Sequence, residues 1–289
     1  MKELVDKVAF ITGGASGIGL ELARACAESG MNVMLADIDE DALSQAIGDL
    51  ETDGLEARSV RCDVTDLDSI RAAAQATIDA FGKVHLLANN AGVFLEGGAG
   101  DISLEKWRWV IDVNFTSVVY GVEIFLPLLR SHGEGGHILN TASMAGLTGF
   151  AGLAAYVATK HAVVGYSESI AGQLESEGIG VSVLCPGFVN TRIADIARYE
   201  SEGDEANNPE IAAAVKEGMS PEVVAKFALE QIQSDALHIF THPGTRGEAM
   251  ERFQQIADAF DRTEASEIIN SDPDARRISE KKIIEDMSR

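Results

Sequence analysis

Short apolar runs alternate along this chain with longer stretches in which apolar residues recur every three to four positions. The short runs Val8–Ile11, Asn32–Ala36, Ala57–Arg61, Val84–Ala88, His137–Asn140, Gly180–Leu184 and Ala236–Phe240 predict strands. Several are apolar at successive positions, as strands buried on both faces are. The longer stretches Ile18–Ser29, Glu40–Thr52, Leu67–Phe81, Leu104–Arg130, Tyr156–Ser176 and Pro221–Ser234 carry the helical period. Strands alternating with helices imply an α/β fold, a doubly wound, seven-stranded parallel sheet with helices on both faces. With no internal repeat and no low-complexity linker, one domain is expected over residues 1–244. The stretch 188–218 breaks the rhythm. It is mixed and acidic, and reads as a surface loop or a lid. Beyond the last strand, residues 245–289 form an extension in which Arg252, Phe253, Ile256, Ala257 and Phe260 suggest one more amphipathic helix.

Composition narrows the function. The net charge of −23 would repel a phosphate backbone, so nucleic acid is not an expected partner. No apolar run of membrane-spanning length and no leader pattern are read, so a cytoplasmic protein is expected. The three cysteines, Cys26, Cys62 and Cys185, have no ligand-like spacing and read as reduced, buried thiols. The six histidines have no metal spacing either, and no metal is expected.

The first strand runs straight into Thr12-Gly13-Gly14-Ala15-Ser16-Gly17-Ile18-Gly19, and then into a helix. Glycine permits a tight turn and close backbone approach, and the free N–H groups at a helix start favour a pyrophosphate. Gly13, Ser16, Gly17, Ile18 and Gly19 are therefore candidate dinucleotide contacts, which makes the fold Rossmann-like. Asp37 ends the second strand, 18 positions after Gly19. A carboxylate there accepts from both adenosine ribose hydroxyls and repels a 2′-phosphate, and neither Ser16 nor Ile38 offers a compensating cation. NAD is thus expected rather than NADP. The alternative is that Asp37 only caps the helix that follows.

Tyr156 and Lys160 are four positions apart on one helical face. An ammonium one turn away, next to a cationic nicotinamide, favours the phenolate and brings tyrosine toward a useful acid/base range. The residues stand in the order TGGASGIG at 12–19, Asp37, Asp63-Val64, NNAG at 89–92, Asn114, Ser143, YVATK at 156–160 and PGFVNT at 186–191. This series, spanning nearly all of residues 5–243, resembles the short-chain dehydrogenase/reductase family.

The resemblance implies roles. Asp63 and Val64 would hold the adenine, and Asn89, Asn90, Ala91 and Gly92 the cofactor floor. Ser143 would bond the substrate oxygen and Tyr156 would exchange its proton. Lys160 would hold the nicotinamide ribose, and Asn114 a water linking Lys160 to solvent. Pro186, Gly187 and Val189 would border the nicotinamide, with Thr191 on its carboxamide.

The expected activity is oxidation of a bulky, hydrophobic or aromatic secondary alcohol to a ketone. Phe94, Met144, Phe150 and Phe188 are expected to line the substrate site, with Ile193, Ile196 and Tyr199 further along the chain. The longer middle and tail are similar to dehydrogenases of bulky apolar alcohols, aryl-ether Cα-dehydrogenases among them. The alternatives are an NADH-dependent carbonyl or 3-oxoacyl reductase and a non-catalytic NAD sensor. In the family the helices Leu104–Arg130 and Tyr156–Ser176 form a subunit contact, so a homodimer or homotetramer is expected.

Overall fold

The computed structural model describes residues 1–193 and 208–272. Seven strands form one all-parallel sheet: β1 (Val8–Thr12), β2 (Asn32–Asp37), β3 (Arg58–Arg61), β4 (Leu86–Asn89), β5 (Gly136–Thr141), β6 (Ile179–Cys185) and β7 (His238–Phe240). Their order is β3-β2-β1-β4-β5-β6-β7, so the winding reverses between β1 and β4. In such sheets ligands bind beyond the carboxyl ends of the strands at that reversal.

Alternation along each strand sends successive side chains to opposite faces. Ala9, Ile11, Val33, Leu35, Leu86 and Ala88 pack with α1 (Gly17–Glu28), α2 (Glu40–Thr52) and, later in the chain, α8 (Pro221–Gln233). Phe10, Met34, Ala36, Leu87, Ile138 and Val181 pack on the other face with α3 (Leu67–Phe81), α5 (Ser117–Ser131) and α6 (Ala154–Leu174). Phe10 and Phe125 meet at 4.4 Å between ring centres, in the middle of that second layer. The helices start where polar side chains can accept from free N–H groups: Asp39 caps α2 and Asp66 caps α3. Gly82 closes α3 in the left-handed region, at φ 77°. All three cysteines are buried and free.

These strands and helices lie where the residue pattern places them, with two departures. The first concerns the stretch expected as one regular helix from Leu104. It comprises α4 (Leu104–Ile111), a π-helical turn (Asp112–Thr116) and α5. The 28 residues from Leu104 to Ser131 are long and apolar enough to cross a bilayer, contrary to the expectation of no such run. Yet Val110, Val118, Val122, Phe125 and Leu129 are buried in the chain's own core, so the helix is accounted for as a packing element. The second is α7 (Pro209–Lys216), which falls within the stretch expected as a loop. Its start is set by Asn208, whose side chain accepts from Glu210 N–H, with Pro209 in the first turn.

The chain divides into two compact units, Met1–Pro243 and Gly244–Arg289. In the second, the suggested amphipathic helix is longer than the residues that announced it: α9 (Arg246–Glu264) is followed by the short α10 (Glu267–Asn270). Ile196 and Tyr199 lie outside the described residues.

Candidate active site

The glycine turn leaves β1 at Thr12 and is tied to the neighbouring strands before α1 begins. Gly14 N–H donates to the Ala36 carbonyl at 3.1 Å, and Ala15 N–H to Asp37 Oδ2 at 3.2 Å. Gly13 and Gly17 take positive φ, 63° and 55°, where a side chain would be strained. At Gly19 the need is space: an added Cβ would lie 2.1 Å from the Gly13 carbonyl oxygen. The Thr12 hydroxyl accepts from Asn90 N–H and Ala91 N–H, both at 3.0 Å, and Asn90 Nδ2 donates back to the Thr12 carbonyl at 3.2 Å. The turn and the loop after β4 therefore form one rigid cradle, with Asp37 at its β2 edge. The helix after Asp37 is capped by Asp39, so capping is not Asp37's role. Asp63, at the end of β3, accepts from the Thr65 N–H at 2.9 Å and the Thr65 hydroxyl at 2.7 Å.

Asn89 departs from the expected cofactor floor. Its side chain is buried and donates to Asn140 Oδ1 at 2.9 Å; Asn140 in turn donates to Ser167 Oγ at 3.0 Å. This polar chain joins β4, β5 and α6 inside the protein. It requires Gly121, where a Cβ would sit 2.1 Å from Asn89 Oδ1.

Asn114 lies in the π-helical turn, a helix irregularity frequent at functional sites. Its side chain acts as a surrogate peptide for the loop after β4. Oδ1 accepts from Val93 N–H at 2.7 Å, and Nδ2 donates to the Val93 carbonyl at 2.9 Å. Gly92, just before, faces both Asn114 Oδ1 and Lys160 Nζ, which would be 3.3 and 3.4 Å from an added Cβ.

Tyr156 and Lys160 share the inner face of α6 and are both buried. Lys160 Nζ lies 5.6 Å from the centre of the Tyr156 ring and donates to the Thr141 carbonyl at 2.9 Å. Ser143, at the end of the β5 loop, caps a short 3₁₀ turn: its hydroxyl accepts from Ala145 N–H at 3.1 Å. That hydroxyl also bears on the Tyr156 phenol. Phe94 meets Tyr156 edge to face, with 5.1 Å between ring centres. Leu153, Val157, Ile193 and Ile211 of α7 pack around this pair. Of the other expected substrate-lining residues, Met144 is buried, whereas Phe150 and Phe188 are exposed.

The protein's own electrostatics, before any nicotinamide is added, work against both charged forms. Burial raises the Tyr156 phenol, which the Ser143 hydrogen bond opposes. Burial likewise pushes Lys160 down to about 8. Desolvation disfavours both charged forms, the phenolate and the ammonium.

The remaining histidines and tryptophans have structural partners. His161 Nδ1 lies 3.0 Å from the Val157 carbonyl oxygen one turn back. Trp107 and Trp109 pack on a small cluster of Val93, Ile102, Val110, Val113 and Ala155. His85, His132 and Glu134 could by proximity hold a metal ion. Each ring nitrogen already has a partner, however, and Glu134 also pairs with Lys7 and Lys83. The residue pattern gave no warning of His242, whose ring sits against Gly187.

Residues 7–201 match the family model of short chain dehydrogenases. This chain belongs to the short-chain dehydrogenase family. The match spans the glycine turn, Ser143, Tyr156 and Lys160 together. A short-chain dehydrogenase/reductase from Burkholderia phymatum, crystallised in complex with NAD, is 39% identical, with a TM-score of 0.84 over 89% of this chain and 96% of that one. A C alpha-dehydrogenase from a Sphingobium species is 32% identical over 286 residues, 96% of this chain and 92% of the relative. A cyclohexanol dehydrogenase from an Acinetobacter species is 36% identical over 196 residues, 68% of this chain and 77% of the relative. This short-chain dehydrogenase is accordingly an oxidoreductase of CH–OH groups that works with a nicotinamide dinucleotide.

Proposed function

We propose that this enzyme oxidises a secondary alcohol on a bulky, apolar or aromatic skeleton to the ketone, with NAD as acceptor and Tyr156 as acid/base. The observation that carries the reading is the meeting of Tyr156, Lys160 and Ser143 beside the glycine cradle.

The residues fit the dinucleotide. Gly13, Ser16, Gly17, Ile18 and Gly19 would hold its pyrophosphate, Asp37 its adenosine ribose, and Asp63 with Val64 its adenine. Asn90, Ala91 and Gly92 would form the floor, and Pro186, Gly187, Val189 and Thr191 the nicotinamide wall. Bound there, NAD would accept the hydride from the carbinol carbon and place a positive ring near the phenol. The Asp37 carboxylate ends β2 with exposed Ile38 beside it, which favours a free ribose over a 2′-phosphate.

Ser143 would hold the substrate oxygen in a fixed direction, and Tyr156 would take the hydroxyl proton as the C–H bond breaks. Lys160, cationic below about pH 8, stabilises the phenolate electrostatically. Asn114 pins the Val93 backbone, and through it the Gly92 segment facing Lys160. The same residues serve carbonyl reduction in the reverse direction; a preference for NAD suits oxidation.

The apolar surroundings of Tyr156, formed by Phe94, Leu153, Ile193 and Ile211, favour a hydrocarbon ring next to the carbinol. The two relatives named for cyclohexanol and for a C alpha position agree with that class. A cytoplasmic homo-oligomer built on the outer face of α6, where Gly165 and Gly172 meet open space, completes the proposal. The test is NADH absorbance over a panel of aryl, cyclic, steroid, terpene and linear alcohols. Turnover concentrated on aryl and cyclic secondary alcohols supports the reading. Turnover only on short linear alcohols, or only with NADP, overturns it.

A further inference from the structure

In the segment after β6, one backbone group from each of three consecutive residues is bonded within the protein. The Pro186 carbonyl accepts from Met144 N–H at 2.9 Å and from the Ser143 hydroxyl at 3.4 Å. Gly187 N–H donates to His242 Nδ1 at 3.0 Å. The Phe188 carbonyl lies 2.9 Å from His242 Nε2 and also accepts from Met219 N–H at 3.0 Å. One imidazole can serve both Gly187 and Phe188 only as the neutral Nε2–H tautomer, accepting at Nδ1 and donating at Nε2. The Thr241 hydroxyl, 2.8 Å from Nδ1, is a second donor to the same lone pair.

Shape reinforces the bonding. A Cβ at Gly187 would sit 2.9 Å from His242 Cγ and 3.0 Å from Cδ2, so the ring lies against a backbone that only glycine leaves bare. A Cβ at Gly218 would sit 2.6 Å from the Phe188 carbonyl carbon, so the opposite side of this segment is closed too. This two-residue stretch, Gly187 against His242 and Phe188 against Gly218, lies between the Ser143 contact at Pro186 and the positions Val189 and Thr191.

We propose that His242 is a positioning residue for this active site. As the Nε2–H tautomer it holds the two peptides that flank the Gly187–Phe188 link, Pro186–Gly187 through its N–H and Phe188–Val189 through its carbonyl. It thereby sets both the Pro186 carbonyl that steadies Ser143 and the wall that would meet the nicotinamide. The inference rests on the proposed NAD site and adds a residue to it from the far end of the sheet, just after β7.

Three variants separate the two bonds. His242→Asn keeps an acceptor near the Nδ1 position, His242→Gln keeps a donor near Nε2, and His242→Ala removes both. NADH affinity is read by fluorescence titration, folding by thermal unfolding, and the tautomer by ¹⁵N chemical shifts of the imidazole, assigned from the signals lost in His242→Gln. The expected result is a protonated Nε2 in the wild type and NADH binding weakened about tenfold in His242→Ala, on the scale of a lost polar contact. With NAD saturating, kcat of that variant should fall further through Ser143, and His242→Asn should recover most of the NADH affinity. Should His242→Ala fail to fold, the Asn variant and the wild-type ¹⁵N spectrum decide. A protonated Nδ1, or unchanged NADH affinity and kcat in whichever of the Ala and Asn variants fold, overturns the positioning role alone. A wild type that binds no NADH overturns the proposed function instead.

Discussion

The two ends of β4 and β5 carry polar clusters of opposite character. At the amino ends, groups are paired with one another until little is left to act. His85 Nδ1 accepts from Val8 N–H, its Nε2 faces Glu134, and His132 links Val84 to Glu134. Lys7 and Lys83 both close on the same carboxylate and, with His85, hold Glu134 far below the usual carboxylate range. At the carboxyl ends, polar side chains instead fix backbone: Thr12 and Asn90 hold the glycine turn, and Asn114 holds Val93. Within that frame the Ser143 hydroxyl acts on the Tyr156 phenol, and the Lys160 ammonium lies buried 5.6 Å from the centre of the phenol ring. Titratable residues alone therefore do not mark a site. What distinguishes the carboxyl ends is polar side chains spent on fixing backbone around Ser143, Tyr156 and Lys160 rather than on pairing with one another.

The difference can be broken experimentally, beginning with the largest effect. Ser143→Ala removes the hydroxyl that would orient the substrate oxygen and is expected to lower kcat/KM about a hundredfold in steady-state NADH assays. The next effect tests the lower end, where His137 is the exception to full pairing. Its Nδ1 is the buried side-chain atom without a hydrogen-bond partner among the described residues, with Asp235 Oδ1 3.6 Å away. Burial pushes this imidazole from 6.5 down to about 3. The unfolded chain thus binds the proton first as pH falls. The stability contribution is complete above about pH 6.5 and is lost progressively toward pH 3. Between pH 7 and pH 5 the loss is roughly 2 kcal/mol. Urea unfolding at the two pH values should show the gap shrinking by that amount in His137→Gln, with turnover at pH 7 kept.

A smaller effect is expected at the edge of the cradle. Asp37→Ser should bring the NAD-to-NADP ratio of kcat/KM down by about tenfold, since a carboxylate near a phosphate is worth on the order of 1 kcal/mol through water. The least consequence is expected from Glu134→Gln. Its pairs with Lys7 and Lys83 are exposed, so kinetic constants should stay at the wild-type level and the urea midpoint should move little.

Residue pattern made the parallel sheet and its long helices legible because strands buried on both faces and helices buried on one leave different apolar periods. The site was legible in part. Tyr156 and Lys160 announce their shared face by spacing, and the glycine turn announces itself by its place between strand and helix. Spacing is silent about contacts made across the fold. The turn inward of Asn89, the mimicry of a peptide by Asn114 and the clamp of His242 on Gly187 all join residues more than 20 positions apart. The burial of the phenol was not legible for a related reason. A helical register brings the ammonium near, but Phe94, Ile193 and Ile211, which pack around the Tyr156 ring, come from elsewhere in the chain. Likewise α7 is held at its start by the Glu96 carboxylate, which accepts from Asn208 N–H at 3.1 Å across a long sequence gap.

The central claim is that Tyr156 exchanges the proton. It is tested most directly by Tyr156→Phe, comparing turnover on the best alcohol of the panel with NADH affinity in the same preparation. The account predicts a loss of turnover of about a thousandfold or more with NADH affinity retained. Near wild-type turnover in the phenylalanine variant would contradict it.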